Sequence, residues 1–332
     1  MTAYENILRK INVMEFILPF KQNAPIDVYN YNLAELGVLL TIPEAIKEVY
    51  NENINIFTRR VGNQIETGFI NICPLVSYFS TPIVKMNFGL NKNAGLTHKE
   101  MFIYFKNMMV SAISNNCYVS GVWDEFYIND RSAYNKYHFV HDWFCYGCND
   151  DCLYIFGYTN TGKPGISKIP YRVLFDSIYN ENVTQDHLCF YRLNTRYPFG
   201  ISLSIIDKHI NNYINSSFDY SEPDCTIGIS VHKEVFDYTV ENKHFDMTSM
   251  RLLLNHKKLL LDRYRFIHTK PDDSILKALE KNYELMQLSF MSAIKYNITL
   301  EKQKLESIED YLKTIVQTEY SILPDYMNGL TY

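Results

Sequence analysis

HFVHDWFCYGCNDDCLYIFGYTNTGKPG, residues 138–165, starts as an aromatic run, breaks at Asn149, Asp150 and Asp151, and returns through a second apolar run to a loop rich in Gly and Asn. Asn and Asp side chains bond nearby backbone and so form turns. The pattern therefore predicts a hairpin, residues 137–146 pairing with residues 152–158. A hairpin here sets an α+β organisation and places His141 in a strand, as either a working acid-base group or a core-filling imidazole.

Working outward, "ICPLVSYFS", "GLTHKEMFIYFKNMMVSAISNN" and "CYVSGVWDEFYIND" upstream read as strand, amphipathic helix and strand. Downstream, "SKIPYRVLFDSIYN" reads as a short strand leading into a helix. From about Ile201 the pattern changes to helices in series, with candidates at residues 201–216 and 228–241. A third begins near Asp246 and places Met250, Leu253, Leu260, Tyr264 and Ile267 on one stripe. Pro271, Asp272, Asp273 and Ser274 stop it and cap the next, in which Leu276, Leu279, Tyr283, Met286, Phe290 and Ala293 recur three and four apart. Leu305, Ile308, Leu312 and Ile315 repeat that spacing, which predicts antiparallel helices in a bundle. The expected division is an α+β domain over residues 1–195 and a helical domain over residues 196–332.

Composition narrows the function classes. Hydrophobic residues at 47% against 21% charged exclude a disordered chain. A net charge of −5, with Lys and Arg scattered, offers no field for a phosphate backbone, so nucleic acid is not an expected partner. "MTAYENILRKINVMEFILPF" mixes Glu5, Arg9, Lys10 and Glu15 into its apolar positions, and no run approaches the roughly 18 apolar residues that span a membrane. A cytoplasmic protein is expected. Seven cysteines, an odd number in a long chain, suit reduced thiols better than a disulfide framework. Cys145, Cys148 and Cys152 lack a fourth zinc ligand, and strand alternation points Cys145 and Cys148 to opposite faces before any bulge, so no metal is expected. Cys73, in "FINICPLVSYF", sits in an apolar strand where thiols are usually inert. "TNTGKPG" lacks the upstream glycine and the Ser or Thr after Lys163 of a phosphate loop.

The order "HFVHDWFCYG", "LYIFGYTNTGK", "ISKIPYRVLFDSI", "GISVHKEVFDYTVEN" and "LLLNHKKLLLDRYRFI" resembles proteins related to butirosin biosynthesis protein H, which include the amide-forming enzyme of closthioamide assembly. The resemblance runs through about the last two thirds of the chain. It implies a papain-like cysteine-peptidase fold with a C-terminal helical extension, used for acyl transfer from a thioester on an acyl or peptidyl carrier protein. Its partner is then that carrier protein with its phosphopantetheine-bound acyl group. No cofactor is implied, and a homodimer is left open.

That chemistry uses a thiolate at a helix N-terminus, a strand histidine and an Asp or Asn that orients the imidazole. His141 matches the histidine. The nucleophile segment "PFKQNAPIDVYNYNLAELGVLL" contains no cysteine, and Asp27 stands at the position, where it also reads as the N-cap of a helix from Val28. Gln22 lies where papain-like enzymes keep an oxyanion-hole glutamine. The orienting position falls on Tyr158, with Asn160 next on the same face. Two functions are therefore expected. One is acyl transfer to an amine or hydroxyl with His141 as general base, Asp27 as its partner and no cysteine at the expected position. The other is an inactive relative that binds a carrier protein or enzyme as a scaffold.

Overall fold

A computed structural model describes residues 15–27, 30–70, 76–77, 82–90, 95–185, 187–217 and 224–330. Its strands are β1 (Phe16–Ile17), β2 (Asn55–Val61), β3 (Gln64–Ile70), β4 (Val76–Ser77), β5 (Ile83–Gly89), β6 (Tyr118–Asp124), β7 (Val140–Cys148), β8 (Cys152–Tyr158), β9 (Pro164–Pro170), β10 (His187–Leu193) and β11 (Cys225–Ile227). Its α-helices are α1 (Asn30–Leu39), α2 (Ile46–Glu52), α3 (His98–Ser114), α4 (Tyr171–Ile178), α5 (Leu203–Ile214), α6 (Val231–Asn242), α7 (Met247–Ile267), α8 (Asp273–Thr299) and α9 (Lys302–Ile322). The fold is mixed α+β with mainly antiparallel sheets. No helix among the described residues is long and apolar enough to cross a membrane.

The first compact unit comprises Met1–Ala24, Tyr29–Ile42 and Leu75–Tyr197. Its sheet runs β4-β5-β10-β6-β7-β8-β9, and β1 pairs with the far end of β7 at Phe16–Cys148 and Ile17–Gly147. The β7–β8 hairpin forms because Asn149 Oδ1 accepts from the amides of Asp151 (3.0 Å) and Cys152 (2.8 Å), closing the turn read from the sequence. Gly147 sits where a Cβ would lie 2.8 Å from the Phe16 carbonyl oxygen, so glycine is what lets β1 approach. Helix α1 packs on β7 and β8. It comes close because Gly37 leaves room for Phe20, whose ring packs on Phe144, Tyr146 and Phe156 at 5.6, 5.2 and 4.7 Å between centroids. Helix α3 starts at a Thr97–Glu100 capping box and packs with α4 on β6.

The second unit comprises Pro25–Val28, Pro43–Pro74 and Pro198–Tyr332. The last switch between units, at Tyr197–Pro198, falls beside the expected boundary near 195. The assignment of all earlier residues to one domain needs correction, because Pro25–Val28 and Pro43–Pro74 join the second unit and add strands to its expected helices. Pro43–Pro74 belongs to the second unit because β2 pairs with both β3 and β11, α2 packs on α5, and α7 packs on β3. Helices α7, α8 and α9 are joined by short loops and pack in sequence. Asp272 caps α8 by accepting from the amides of Ser274 (2.8 Å) and Ile275 (3.3 Å), as its position before the periodic run predicted.

Candidate functional site

Alternation along four strands of the first unit builds one polar wall. On β10, His187, Cys189 and Tyr191 share a face while Leu188 and Phe190 take the other. Antiparallel register sets Cys189 opposite Asn87 of β5 and Ser120 of β6, and Tyr191 opposite Lys85 and Tyr118. Ser120 in turn pairs with Phe144 of β7, and Val122 with Asp142. Directly opposed residues on one face stand roughly 4.5–5.5 Å apart between Cβ atoms, so register alone makes these side chains neighbours. Ala34 and Glu35 of α1 complete a pocket of about 230 Å³ with Lys85, Ser120, Asp142, Gln185, His187, Cys189 and Tyr191 in its lining.

The pocket is electrostatically unusual at Glu35. Burial raises its carboxyl from the ordinary 4.5 to about 7, with Lys85 opposing and the negative Asp142 reinforcing the shift. A carboxyl of that pKa takes up or releases a proton near neutrality, which is what a general base or acid requires. The Ser120 hydroxyl donates to Tyr191 Oη at 3.0 Å, and Lys85 Nζ lies 5.7 Å from the Tyr191 ring centre. Burial pushes the Tyr191 hydroxyl above its usual range, so it stays protonated as a donor.

His141 sits beside this wall, half-buried, with both ring nitrogens on carboxylates. Nδ1 is 3.2 Å from Glu125 Oε1, and Nε2 is 3.1 Å from Oδ1 of Asp142, which lines the pocket. Glu125 is buried, and the Arg131 Nε is 3.9 Å from its Oε1. Arg131 is fixed in turn by Asp130 at 2.7 Å and the Ser167 hydroxyl at 3.0 Å, with its guanidinium 5.0 Å over the Trp123 ring. The hydrogen bond to Glu125 raises the His141 pKa above 6.5; burial opposes this and Asp142 adds to it. A second dyad lies alongside, His138 Nδ1 2.6 Å from the buried Asp124 Oδ2. Burial would raise Asp124, but His138 and the amides of Phe126 and Phe139 together bring its pKa below the usual aspartate value.

A raised histidine pKa fixes the sign of its contribution. The charged ring stabilises the fold fully below 6.5, and that contribution is lost as pH rises through the raised value. Following the imidazole by NMR through a pH titration should show an inflection above 6.5, moved down by Glu125→Gln. An inflection below 6.5, or one that Glu125→Gln leaves in place, would contradict this arrangement.

The residues singled out from sequence fall in different places. Asp27, expected to pair with His141, accepts from Arg251 and Asn255, each at 2.9 Å, and belongs to the second unit. The described part of the helix after it begins at Asn30, and Val28 lies outside the described residues. The group orienting Nδ1 of His141 is Glu125, where Asn160 or Tyr158 was expected. Tyr158 ends β8 opposite Pro164, and the exposed Asn160 donates its amide to the Asp130 carbonyl at 2.8 Å. Gln22 is exposed after β1. Cys73 lies outside the described residues. Burial raises the pKa of Cys145, Cys148 and Cys152, so all three are held as thiols, and a bulge between Cys145 and Gly147 interrupts the simple alternation between them. No group of three or more His, Cys, Asp or Glu that could hold a metal occurs among the described residues.

Sequence reasoning missed Glu35, Glu125, Lys85, Cys189 and Tyr191. Two signals were present: Glu35 is the lone acid in the apolar run "LAELGVLL", and His187, Cys189 and Tyr191 alternate with Leu188 and Phe190. No protein-family model matches the chain, and no curated protein matches it.

Proposed function

We propose that this chain is an acyl-transfer protein of natural-product assembly, with a papain-like first unit that moves an acyl group from a carrier-protein thioester to an amine or hydroxyl. The observation that carries the reading is the Glu35 carboxyl, raised to about 7 inside a pocket of hydrogen-bond donors.

In this reading Glu35 takes the acceptor's proton. His141 was expected in that role, but a ring with a carboxylate on each nitrogen and a raised pKa favours the cation, which cannot accept a proton. Its charge instead offsets Asp142, and so limits how far Asp142 raises Glu35. Lys85 is the cation available to an oxyanion, and Tyr191, whose oxygen accepts from Ser120, keeps its own hydroxyl proton to donate.

The test is product formation by the purified chain from an acyl thioester on a phosphopantetheinylated carrier protein, with an amine acceptor, followed by mass spectrometry. Amide formed above the rate without protein supports the reading. Carrier binding without product would leave the scaffold role in its place.

A further inference from the structure

We propose that Cys189 carries the acyl group covalently between donor and acceptor, as a nucleophile moved from helix to strand. This rests on the acyl-transfer reading and concerns the same pocket. Among the described residues, Cys189 is the thiol that lines it. Its Sγ donates to Asn87 Oδ1 at 3.3 Å, which holds the thiol against the β5 side of the wall. Glu35 and Tyr191 line the same pocket, so acid, hydroxyl and thiol form one cluster. The other buried thiols lack these features. Cys145 donates to the Gly147 carbonyl and lies outside the pocket lining.

The chemistry balances within the cluster. Glu35, ionised, takes the Cys189 proton as Sγ attacks the thioester carbonyl; the bond to the pantetheine sulfur breaks, and that leaving sulfur takes the proton from Glu35. The acceptor then attacks the new thioester on Cys189 and gives its proton to Glu35. The bond to Sγ breaks, Glu35 returns the proton to it, and the thiol is restored. Nothing is oxidised or reduced, and no other reactant is needed.

Intact-mass analysis after incubation with an acyl-pantetheine thioester and no acceptor should show one acyl group per chain, located by proteolysis on the peptide containing Cys189. The adduct should disappear when an amine is added. Cys189→Ala should lose both the adduct and the transfer, with melting temperature checked to establish folding. Should that variant fail to fold, Cys189→Ser is the substitute, and iodoacetamide labelling of Cys189 in the wild-type chain, slowed by the thioester, is the independent measurement. Transfer by the wild type with no adduct, or at the wild-type rate in Cys189→Ala, would overturn the covalent role and leave direct transfer assisted by Glu35. Neither adduct nor product from the wild type would overturn both.

Discussion

Glu35→Gln is expected to lower acyl transfer by roughly 10²- to 10⁴-fold, the usual contribution of a positioned general base. Gln keeps the shape of the side chain and cannot accept the proton. The wild-type pH profile should carry an acid limb near 7, because Glu35 must be ionised to act and its pKa lies there. Neighbours should move that limb in opposite directions. Lys85 lowers the pKa, so Lys85→Met should shift the limb upward; Asp142 raises it, so Asp142→Asn should shift it downward.

Stability should move against activity. A carboxyl raised from 4.5 to about 7 costs the fold nothing below 4.5; the cost grows between 4.5 and about 7 and levels off above it. Glu35→Gln should therefore be more stable than wild type at pH 8 and similar at pH 4. Full activity in Glu35→Gln would end the assignment of Glu35 as the base. An acid limb that ignores both Lys85 and Asp142 would show that another group titrates.

Glu319→Ala is expected to destabilise the second unit by about 3–5 kcal/mol, the cost of leaving a buried charge without its partner. Lys257 and Glu319 are both fully buried, with Nζ 2.6 Å from Oε1. The remaining donors and acceptors are also used. Lys257 donates to Tyr213 Oη at 2.9 Å and to His256 Nδ1 at 3.1 Å, and the Tyr213 hydroxyl donates to Glu319 Oε2 at 2.7 Å. Because Nδ1 of His256 accepts, its Nε2–H donates to the Ile54 carbonyl at 2.7 Å. The network ties α5, α7 and α9 to the segment before β2. Burial lowers the Lys257 pKa and Glu319 opposes that, so removing Glu319 takes away the group that makes the ammonium tolerable.

The double variant Lys257→Met with Glu319→Leu should recover much of the loss, since apolar residues of similar volume replace a buried pair at little cost. Recovery should stay incomplete, because the Tyr213 hydroxyl and His256 Nδ1 lose partners. Urea unfolding of the three variants gives the coupling energy directly. A loss below about 1 kcal/mol in Glu319→Ala would place this pair among those that contribute little.

Elements that depend on neighbours in the chain were legible from residue type. The hairpin at Asn149, the Asp272 cap and the periodic stripes of α7, α8 and α9 all arise from interactions within a few residues, so their signals lie in short windows. His141 was also singled out correctly as a strand histidine. Its partner was not. Glu125 lies sixteen residues away in sequence and meets the ring because Trp123 and His141 are paired across β6 and β7, a register that no local pattern specifies.

The pocket shows the same limit more strongly. Glu35, Lys85, Ser120, Asp142 and Cys189 come from one helix and four strands, and each has an ordinary local reading. They converge because β10 inserts between β5 and β6, and because Gly37 and Phe20 let α1 lie close over the sheet. The Glu35 pKa follows from that enclosure, since burial is a property of what surrounds a group rather than of the group. Likewise Pro43–Pro74 joins the second unit through long-range pairing of β2 with β11, whose residues lie far along the chain. Short-range chemistry was sufficient for the hairpin turn, the Asp272 cap and the helical stripes, whereas strand order, register and burial selected which side chains meet.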